Sequence, residues 1–166
     1  TRKKRVFVLN FIGDVAAVLE EMIAIWQEKK YKLDQRALKA WWAHVERWRA
    51  RDSYAFQQDD KIIKPQYPLQ RLNKMIVGKD AYFTTDVGQH QMWAAQHFLF
   101  EKPNRWMTSG GLGTMGYGLP AAMGVQLAHP EALVVCITSE GSLMMNIQEL
   151  MTIVEHKLPV KIINLN

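Results

Sequence analysis

Five glycines crowd one segment of this chain, which reads Ser109-Gly110-Gly111-Leu112-Gly113-Thr114-Met115-Gly116-Tyr117-Gly118-Leu119-Pro120-Ala121-Ala122. Glycine allows positive φ angles and lets the backbone approach a ligand closely, at an entropic cost that an ordinary surface turn has no reason to carry five times. Helix-forming residues follow at once, which indicates a loop that leads into a helix. We interpret the segment as a loop built around a bulky ligand, namely a cofactor.

The same segment contains the spacing Gly111-x-Gly113-x-x-Gly116, which formally matches the dinucleotide-binding fingerprint. That fingerprint requires a hydrophobic strand directly before it and an acidic residue about 20 positions later. Residues 102–108 do not read as a buried strand, and Glu131 comes too early after the motif. The surroundings of the motif therefore disfavour a nicotinamide cofactor.

The positive charge of the chain is confined to its first part. The chain has 166 residues and a net charge of +5, and residues 1–64 hold 14 Lys and Arg against 9 Asp and Glu, whereas residues 65–166 hold 7 of each. The basic residues lie on predicted helices whose other faces are apolar, without aromatic residues interleaved for base stacking. We therefore expect a solvated basic face and no nucleic-acid partner.

Hydropathy and cysteine content indicate the cellular setting. No segment reaches the roughly 18 consecutive apolar residues of a membrane span, and the basic start has no signal-peptide pattern. Cys136 is the one cysteine and lies in an apolar run, so we expect a small buried hydrophobe without a disulfide. These features predict a cytoplasmic protein without membrane contact. Strand-like patterns near both ends of the sequence, at residues 6–9 and 161–165, suggest a piece of a longer protein.

Two amphipathic helices are predicted in the first third of the chain. Asp14 suits the cap of a helix whose apolar positions recur at helical spacing over residues 15–26, and Asp34 suits the cap of a second. The second helix carries an apolar stripe formed by Leu38, Trp41, Trp42, Val45 and Trp48. We expect this stripe in a core or an interface rather than in a binding site. Residues 52–68 are polar, contain two prolines and predict a linker, with a unit boundary near residue 64.

The rest of the chain alternates between helix and strand patterns. These are a helix over residues 69–77, a strand over 81–85, a helix over 89–98, the glycine loop, a helix over 119–128, a strand over 132–138, a helix over 143–156 and a strand over 160–165. The alternation predicts an α/β fold with a parallel sheet flanked by helices. Ligands of such sheets lie beyond the carboxyl ends of the strands, so the turns at residues 86–90 and 139–142 are expected to converge on one site.

The turn Ser139-Glu140-Gly141-Ser142 has two interpretations. Backbone N–H groups at a helix start attract phosphate, and an acidic side chain can hold a divalent cation. The same residues would also suit a simple capping turn that only starts the helix. His90, between two glutamines, is similarly either a ligand-binding residue or a polar residue at a helix start.

Three segments together resemble one known family. They are Thr85-Asp86-Val87-Gly88-Gln89-His90-Gln91-Met92-Trp93-Ala94-Ala95, the glycine loop through Ala122, and residues 139–166. They closely resemble the catalytic large subunit of acetolactate (acetohydroxyacid) synthase, a thiamine-diphosphate enzyme family. The resemblance covers roughly residues 12–166, is strongest from Asp80 onward, and implies an incomplete thiamine-diphosphate-binding fold preceded by the helical end of another domain.

The resemblance assigns cofactor contacts by position. Gln89 and His90 look like the residues that reach the diphosphate, while Gly113 and Met115 look like those that contact the aminopyrimidine. In the family, a bulky apolar side chain at the place of Met115 props the cofactor into a bent shape, which is a form of preorganisation for carbanion chemistry.

The metal side of the site departs from the family pattern. Glu140 occupies the place of the metal-binding aspartate, with Gly141 and Ser142 beside the diphosphate. The family normally has glycine where this chain has Ser139, and a Cβ there is unfavourable if a positive φ is required. Asn166 matches the first of two consecutive asparagines, the second of which, a magnesium ligand, lies outside this sequence.

The resemblance also implies the organisation and chemistry of a larger protein. Residues 1–50 would form the C-terminal end of a central, FAD-associated domain, residues 51–68 a linker, and residues 69–166 the N-terminal part of a C-terminal thiamine-diphosphate-binding domain. Implied cofactors are thiamine diphosphate and Mg²⁺, with FAD in the full-length protein. Implied partners are small 2-ketoacids, a second copy in a homo-oligomer and a regulatory small subunit.

The implied activity is condensation of pyruvate with a second 2-ketoacid in branched-chain amino-acid biosynthesis. The family uses a glutamate from the partner subunit to protonate the aminopyrimidine, and no residue here is assigned that catalytic role, so we expect negligible turnover by this chain alone. Two alternatives stay open: a non-catalytic homologue that acts as an interaction module, and another thiamine-diphosphate-dependent 2-ketoacid decarboxylase.

Overall fold

The computed structural model describes residues 11–165. The chain divides into two compact units, Thr1–Ser53 and Tyr54–Asn166. The strand predicted over residues 6–9 lies outside the described residues, and so does Asn166, which the resemblance matched to the first of two consecutive asparagines. Within residues 11–165, no helix combines the length and the apolar character needed to cross a bilayer.

The first unit contains the two predicted helices, α1 (Val15–Glu28) and α2 (Gln35–Arg49). Both begin at an aspartate that satisfies N–H groups of the first turn, as expected for N-caps. The Asp14 carboxylate accepts from Ala17 N at 3.1 Å, and the Asp34 carboxylate accepts from two N–H groups of α2 at 3.0 Å each. Short polar side chains therefore determine where both helices start.

The tryptophan stripe of α2 lies on an exposed face. Neither α1 nor α2 contains a buried residue, and Trp41, Trp42 and Trp48 are about half exposed. Within the described residues, this stripe is therefore not buried in a core, and its interpretation as an interface stays a prediction.

The second unit is a four-stranded parallel sheet with helices on both faces, which confirms the predicted α/β fold. In chain order its elements are α3 (Gln66–Met75), β1 (Ala81–Thr85), α4 (Gln89–His97), β2 (Trp106–Thr108), α5 (Gly118–Ala128), β3 (Leu133–Thr138), α6 (Glu140–Met145), α7 (Glu149–Glu155) and β4 (Lys161–Asn164). The strand order is β2-β1-β3-β4. β1 and β3 are therefore the central strands.

The sheet buries one apolar cluster on each face because successive side chains of a strand point to opposite sides. Phe83 and Val135 face a cluster that α3 and α4 complete through residues such as Leu69. The adjacent Tyr82 and Val134 face the other cluster, which α5 and α7 complete. Cys136 belongs to this second cluster and is fully buried, as expected for a small hydrophobe.

Three parts of the second unit differ from the prediction by more than a one-residue shift of a boundary. α3 begins at Gln66, three residues before the predicted start. Residues 102–108, which were not expected to hold a buried strand, contain the short edge strand β2, whose residues are only half-buried. The single helix predicted over residues 143–156 is instead the two helices α6 and α7, and Asn146 ends the first of them with φ −132°.

Candidate functional site

β1 and β3 end where the connections of the sheet change direction. From β1 the chain crosses to β2 on one side, and from β2 it returns past β1 to β3 on the other side. Open α/β sheets bind ligands in the crevice outside the carboxyl ends of the strands at such a switch point. Asp86 follows β1 and Ser139 follows β3, so the two turns predicted to converge lie at neighbouring strand ends.

Asp86 links three segments at this crevice. Its side chain is fully buried, and its Oδ1 accepts a hydrogen bond from Gly118 N at 2.7 Å. Its Oδ2 accepts a hydrogen bond from the Thr138 hydroxyl at 2.6 Å. One carboxylate therefore contacts the end of β1, the start of α5 and the end of β3.

The glycine loop leads into α5, as predicted, and it follows the unpredicted strand β2. Two of its five glycines have positive φ angles, Gly113 at 68° and Gly116 at 82°. A Cβ at Gly116 would also lie 2.8 Å from Nδ2 of Asn146. Position 116 therefore requires glycine both for its backbone angle and for space.

His90 lies in the first turn of α4 and is buried, with no hydrogen-bond partner for Nε2. Desolvation by burial lowers the pKa of His90, and the Asp86 carboxylate, a hydrogen bond to the Asp86 backbone and the Glu140 carboxylate oppose that effect. A neutral imidazole therefore presents an unpaired nitrogen near the strand ends at neutral pH. Most buried polar atoms of native proteins are paired, so this nitrogen indicates a ligand contact.

Ser142 presents a second unpaired buried atom, its Oγ. α6 begins at Glu140, three residues earlier than predicted, so residues 140–142 form its first turn. The Ser139 backbone is extended, with φ −126°. A positive φ is not required there, and the expected strain from a Cβ at Ser139 is absent.

Met115, in the glycine loop, lies close to the turn that follows β3. A Cβ built on Gly141 would lie 3.4 Å from Cε of Met115, so the two residues are in near contact. Met115 is 40% exposed and Glu140 is exposed beside it in sequence with Gly141. An exposed apolar side chain therefore lies beside the first turn of α6, which also carries Ser142.

The predicted site residues all follow the carboxyl ends of three adjacent strands. Gln89 and His90 follow β1, Gly113 and Met115 follow β2, and Glu140, Gly141 and Ser142 follow β3. Gln89 and Gly113 are exposed to solvent. The structure thus gathers the segments at one edge of the sheet, while the individual contacts assigned by resemblance stay predictions.

Four residues that help to form the site were given no role of their own in the sequence analysis, although Asp86 and Gly118 lie in segments that were expected there. They are Asp86, Gly118, Thr138 and Asn146. The position of Asp86, directly after an apolar strand, was a usable sequence signal for that residue. The other three act through partners more than 25 residues away in sequence, which only the fold reveals.

The residues present fit an anionic, phosphorylated ligand better than they define a metal site. Two unpaired polar atoms, His90 Nε2 and Ser142 Oγ, come from different strand ends and would gain partners from a diphosphate. By contrast, residues 11–165 contain no group of three His, Cys, Asp or Glu that could hold a metal ion. In the described part of the chain, a cation would rest on Glu140 together with the oxygens of the ligand.

Two surface cavities lie away from these residues. One of about 710 Å³ follows the outer edge of β2 and α5 and includes Tyr82, Arg105 and Gly124. The other, of about 370 Å³, lies near the amino end of β1 and includes Lys79 and Phe83. Neither contains a residue of the predicted site.

Comparison with known proteins identifies relatives of the chain. Residues 86–166 match the family model described as thiamine pyrophosphate enzyme, C-terminal TPP binding domain. The chain is 48% identical over 158 residues to the acetolactate synthase isozyme 3 large subunit of Escherichia coli (strain K12), which is 95% of this chain and 27% of that protein. Identity is 46% to the acetolactate synthase large subunit of Haemophilus influenzae and 44% to that of Buchnera aphidicola subsp. Schlechtendalia chinensis, with the same coverage. The chain thus spans about a quarter of the length of these relatives.

Proposed function

Because the chain belongs to the acetolactate synthase large subunits among the thiamine pyrophosphate enzymes, we propose that the edge formed by β1, β2 and β3 holds the diphosphate of thiamine diphosphate. The observation that carries the proposal is the pair of unpaired buried atoms, His90 Nε2 and Ser142 Oγ. They come from the turns after the two central strands, where an open α/β sheet binds its ligand.

Residues that follow three different strands would bind different parts of the cofactor. Ser142 would donate to the diphosphate oxygens and Gln89 would orient them. His90 Nε2 would donate once the anionic diphosphate favours protonation of the imidazole ring. Met115, held against Gly141, would present an apolar surface to the aminopyrimidine. When bound, thiamine diphosphate supplies an electron sink for the carbanion formed on decarboxylation of a 2-ketoacid. The chain's own contribution is orientation of the cofactor.

The activity of the whole protein is part of the proposal. By resemblance to its relatives, it would condense pyruvate with a second 2-ketoacid in branched-chain amino-acid biosynthesis, with Mg²⁺ between Glu140 and the diphosphate and with FAD in its central domain. Assembly into a homo-oligomer with a regulatory small subunit is proposed on the same ground. A cytoplasmic location stays a prediction.

Glu140 favours a second candidate, a non-catalytic module that keeps the fold. The family pattern has the shorter aspartate at this place, and Mg²⁺ demands near-ideal octahedral geometry at about 2.0–2.1 Å. A glutamate carboxylate reaches one methylene further, so the ion and the diphosphate would have to shift together. This candidate predicts no cofactor binding by the chain.

The test is calorimetric titration of the chain with thiamine diphosphate in Mg²⁺. We expect saturable binding that His90→Ala and Ser142→Ala each weaken about tenfold, since each removes a partner of a charged group. His156→Ala, at an exposed histidine after α7, is the matched control and should bind like the wild-type chain. Absence of binding by the wild-type chain, or equal binding by all four proteins, would overturn the proposal. Titration with inorganic pyrophosphate separates diphosphate recognition from recognition of the ring system.

A further inference from the structure

We propose that Asp86 is a positioning residue of this cofactor site, which holds the start of α5 and the end of β3 at a set distance from the end of β1. The proposal rests on the proposed function for the identity of the ligand. Asp86 itself need not touch that ligand. It acts through the segments that carry Met115 on one side and Ser142 on the other.

The contact with α5 replaces a local helix cap. Tyr117, at the N-cap position of α5, makes no side-chain capping bond. Instead, Asp86 Oδ1 accepts from Gly118 N at 2.7 Å, 32 residues away in sequence. A carboxylate at a helix N-terminus also interacts favourably with the helix dipole. The start of α5, and with it the end of the glycine loop, is therefore fixed to the end of β1.

Gly118 permits this close approach. A Cβ at position 118 would lie 2.8 Å from Asp86 Oδ2 and 3.1 Å from the Asp86 backbone nitrogen. The first distance requires the Asp86 side chain or the start of α5 to shift, and the second is tighter than an ordinary van der Waals contact. The fifth glycine of the loop thus serves the Asp86 contact, whereas positive φ angles account for Gly113 and Gly116.

The contact with β3 fixes the other segment. Thr138 is the last residue of β3, and its Oγ1 donates a hydrogen bond to Asp86 Oδ2 at 2.6 Å. Ser139 and the first turn of α6 follow directly, so the hydrogen bond anchors the segment that ends at Ser142. Residues 11–165 provide no ion pair for Asp86. Its buried carboxylate therefore depends on these two short hydrogen bonds and on the α5 N-terminus.

Hydrogen exchange of the full chain tests the positioning directly. For Asp86→Ala, we expect exchange to rise at least about tenfold in residues 109–118 and 139–146, since hydrogen bonds to charged groups are among the stronger ones. Exchange in α7 should change less than about threefold, because the two side-chain hydrogen bonds of Asp86 go to α5 and β3. Unchanged exchange in the two segments, or an equal rise throughout the chain, would overturn the proposal.

Two conservative variants separate positioning from general destabilisation. In Asp86→Asn, the amide oxygen can still accept from Gly118 N, and the amide nitrogen can donate to the Thr138 hydroxyl, so exchange should stay within about threefold of wild type. If Asp86→Ala does not fold, Thr138→Val and Thr138→Ser replace it. Thr138→Val should loosen residues 139–146, and Thr138→Ser should restore them, while failure of serine to restore them would contradict the proposal.

Cofactor titration of the same proteins distinguishes this proposal from the proposed function. If the wild-type chain binds thiamine diphosphate, Asp86→Ala should weaken binding about tenfold or more while Thr138→Ser changes it less than threefold. An Asp86→Ala chain that binds like wild type would overturn the role of Asp86 in the site. If the wild-type chain does not bind, the proposed function fails, and the exchange pattern still decides whether Asp86 holds the two segments.

Discussion

Asn146 Nδ2 donates a hydrogen bond of 2.6 Å to the carbonyl oxygen of Gly116, 30 residues earlier in the chain. Asn146 lies in the break between α6 and α7, and Gly116 lies in the glycine loop next to Met115. The break between two helices and the conformation of the loop therefore depend on each other. This relationship makes the loop sensitive to a change at Gly116 that Gly111 of the same loop should tolerate.

Gly116→Ala is expected to destabilise the second unit by about 1–3 kcal/mol. The φ of 82° is unfavourable for alanine, and the added Cβ would lie 2.8 Å from Asn146 Nδ2. Gly111→Ala is the matched control, because a Cβ there meets nothing within 4 Å. Urea unfolding followed by circular dichroism measures both variants. Equal midpoints for the two would contradict the role of Gly116.

Two glycines of α5 provide a second matched pair. Gly118→Ala should destabilise by about 1–3 kcal/mol, because its Cβ would collide with Asp86 and force that side chain or the helix start to move. Gly124→Ala should instead stabilise by up to about 1 kcal/mol, since its Cβ meets nothing within 4 Å and alanine has the higher helix propensity. Thermal unfolding of the two variants checks the opposite signs. A loss of stability in both would mean that α5 is sensitive throughout.

Local sequence patterns predicted the central part of the fold well. β1 spans Ala81–Thr85, as expected from its aromatic and β-branched residues and from the turn that precedes it. The α1 and α2 starts followed from their aspartate caps. Each of these features depends on residues within a few positions, which is the range that a sequence pattern describes.

Elements determined by distant partners were predicted less well. β2 has three half-buried residues at a sheet edge, so neither alternation nor an apolar run marks it. The apolar pattern over residues 143–156 is continuous with helical spacing, and the break at Asn146 accompanies its bond to Gly116. The candidate site shows the same division: resemblance proposed His90 and Ser142 as cofactor contacts, whereas the hydrogen bonds of Asp86 to α5 and β3 follow only from the fold.

His90 should titrate below the usual value for histidine, because burial lowers its pKa. The unfolded chain then takes up the proton first as the pH falls, so stability is lost from about pH 6.5, the ordinary histidine pKa, down to the folded pKa of His90. His90→Gln should remove this part of the loss of stability at acidic pH, whereas His156→Gln should leave it unchanged. Proton NMR of the histidine rings gives the pKa, and unfolding at several pH values gives the slope. A His90 that titrates above 6.5 would contradict the prediction.

Cys136 should resist thiol reagents in the folded chain. Burial raises the pKa of the Cys136 thiol to about 12, although a hydrogen bond with Thr84 acts in the opposite direction. Because the thiolate is the reactive form, labelling by a disulfide reagent at pH 8 should be slow without urea and complete within seconds to minutes in urea. The folded state keeps this proton when the unfolded state loses it, so stability should fall as the pH rises above about 9. Rapid labelling of the folded chain would mean that the second core cluster opens readily.

Glu140→Asp should tighten binding of thiamine diphosphate in Mg²⁺ by about tenfold, because the shorter carboxylate suits the narrow octahedral distances of that ion. Glu140 is exposed, so the substitution should leave the unfolding midpoint nearly unchanged and the comparison is one of binding alone. Ca²⁺ accepts longer and more variable oxygen distances of about 2.3–2.6 Å. When Ca²⁺ replaces Mg²⁺, the difference in cofactor affinity between the wild-type and Glu140→Asp chains should therefore become smaller. In the presence of a metal chelator, the wild-type and Glu140→Asp chains should bind thiamine diphosphate with equal affinity. Calorimetry under the three conditions measures this, and an equal affinity in Mg²⁺ would show that the carboxylate at position 140 does not reach the ion.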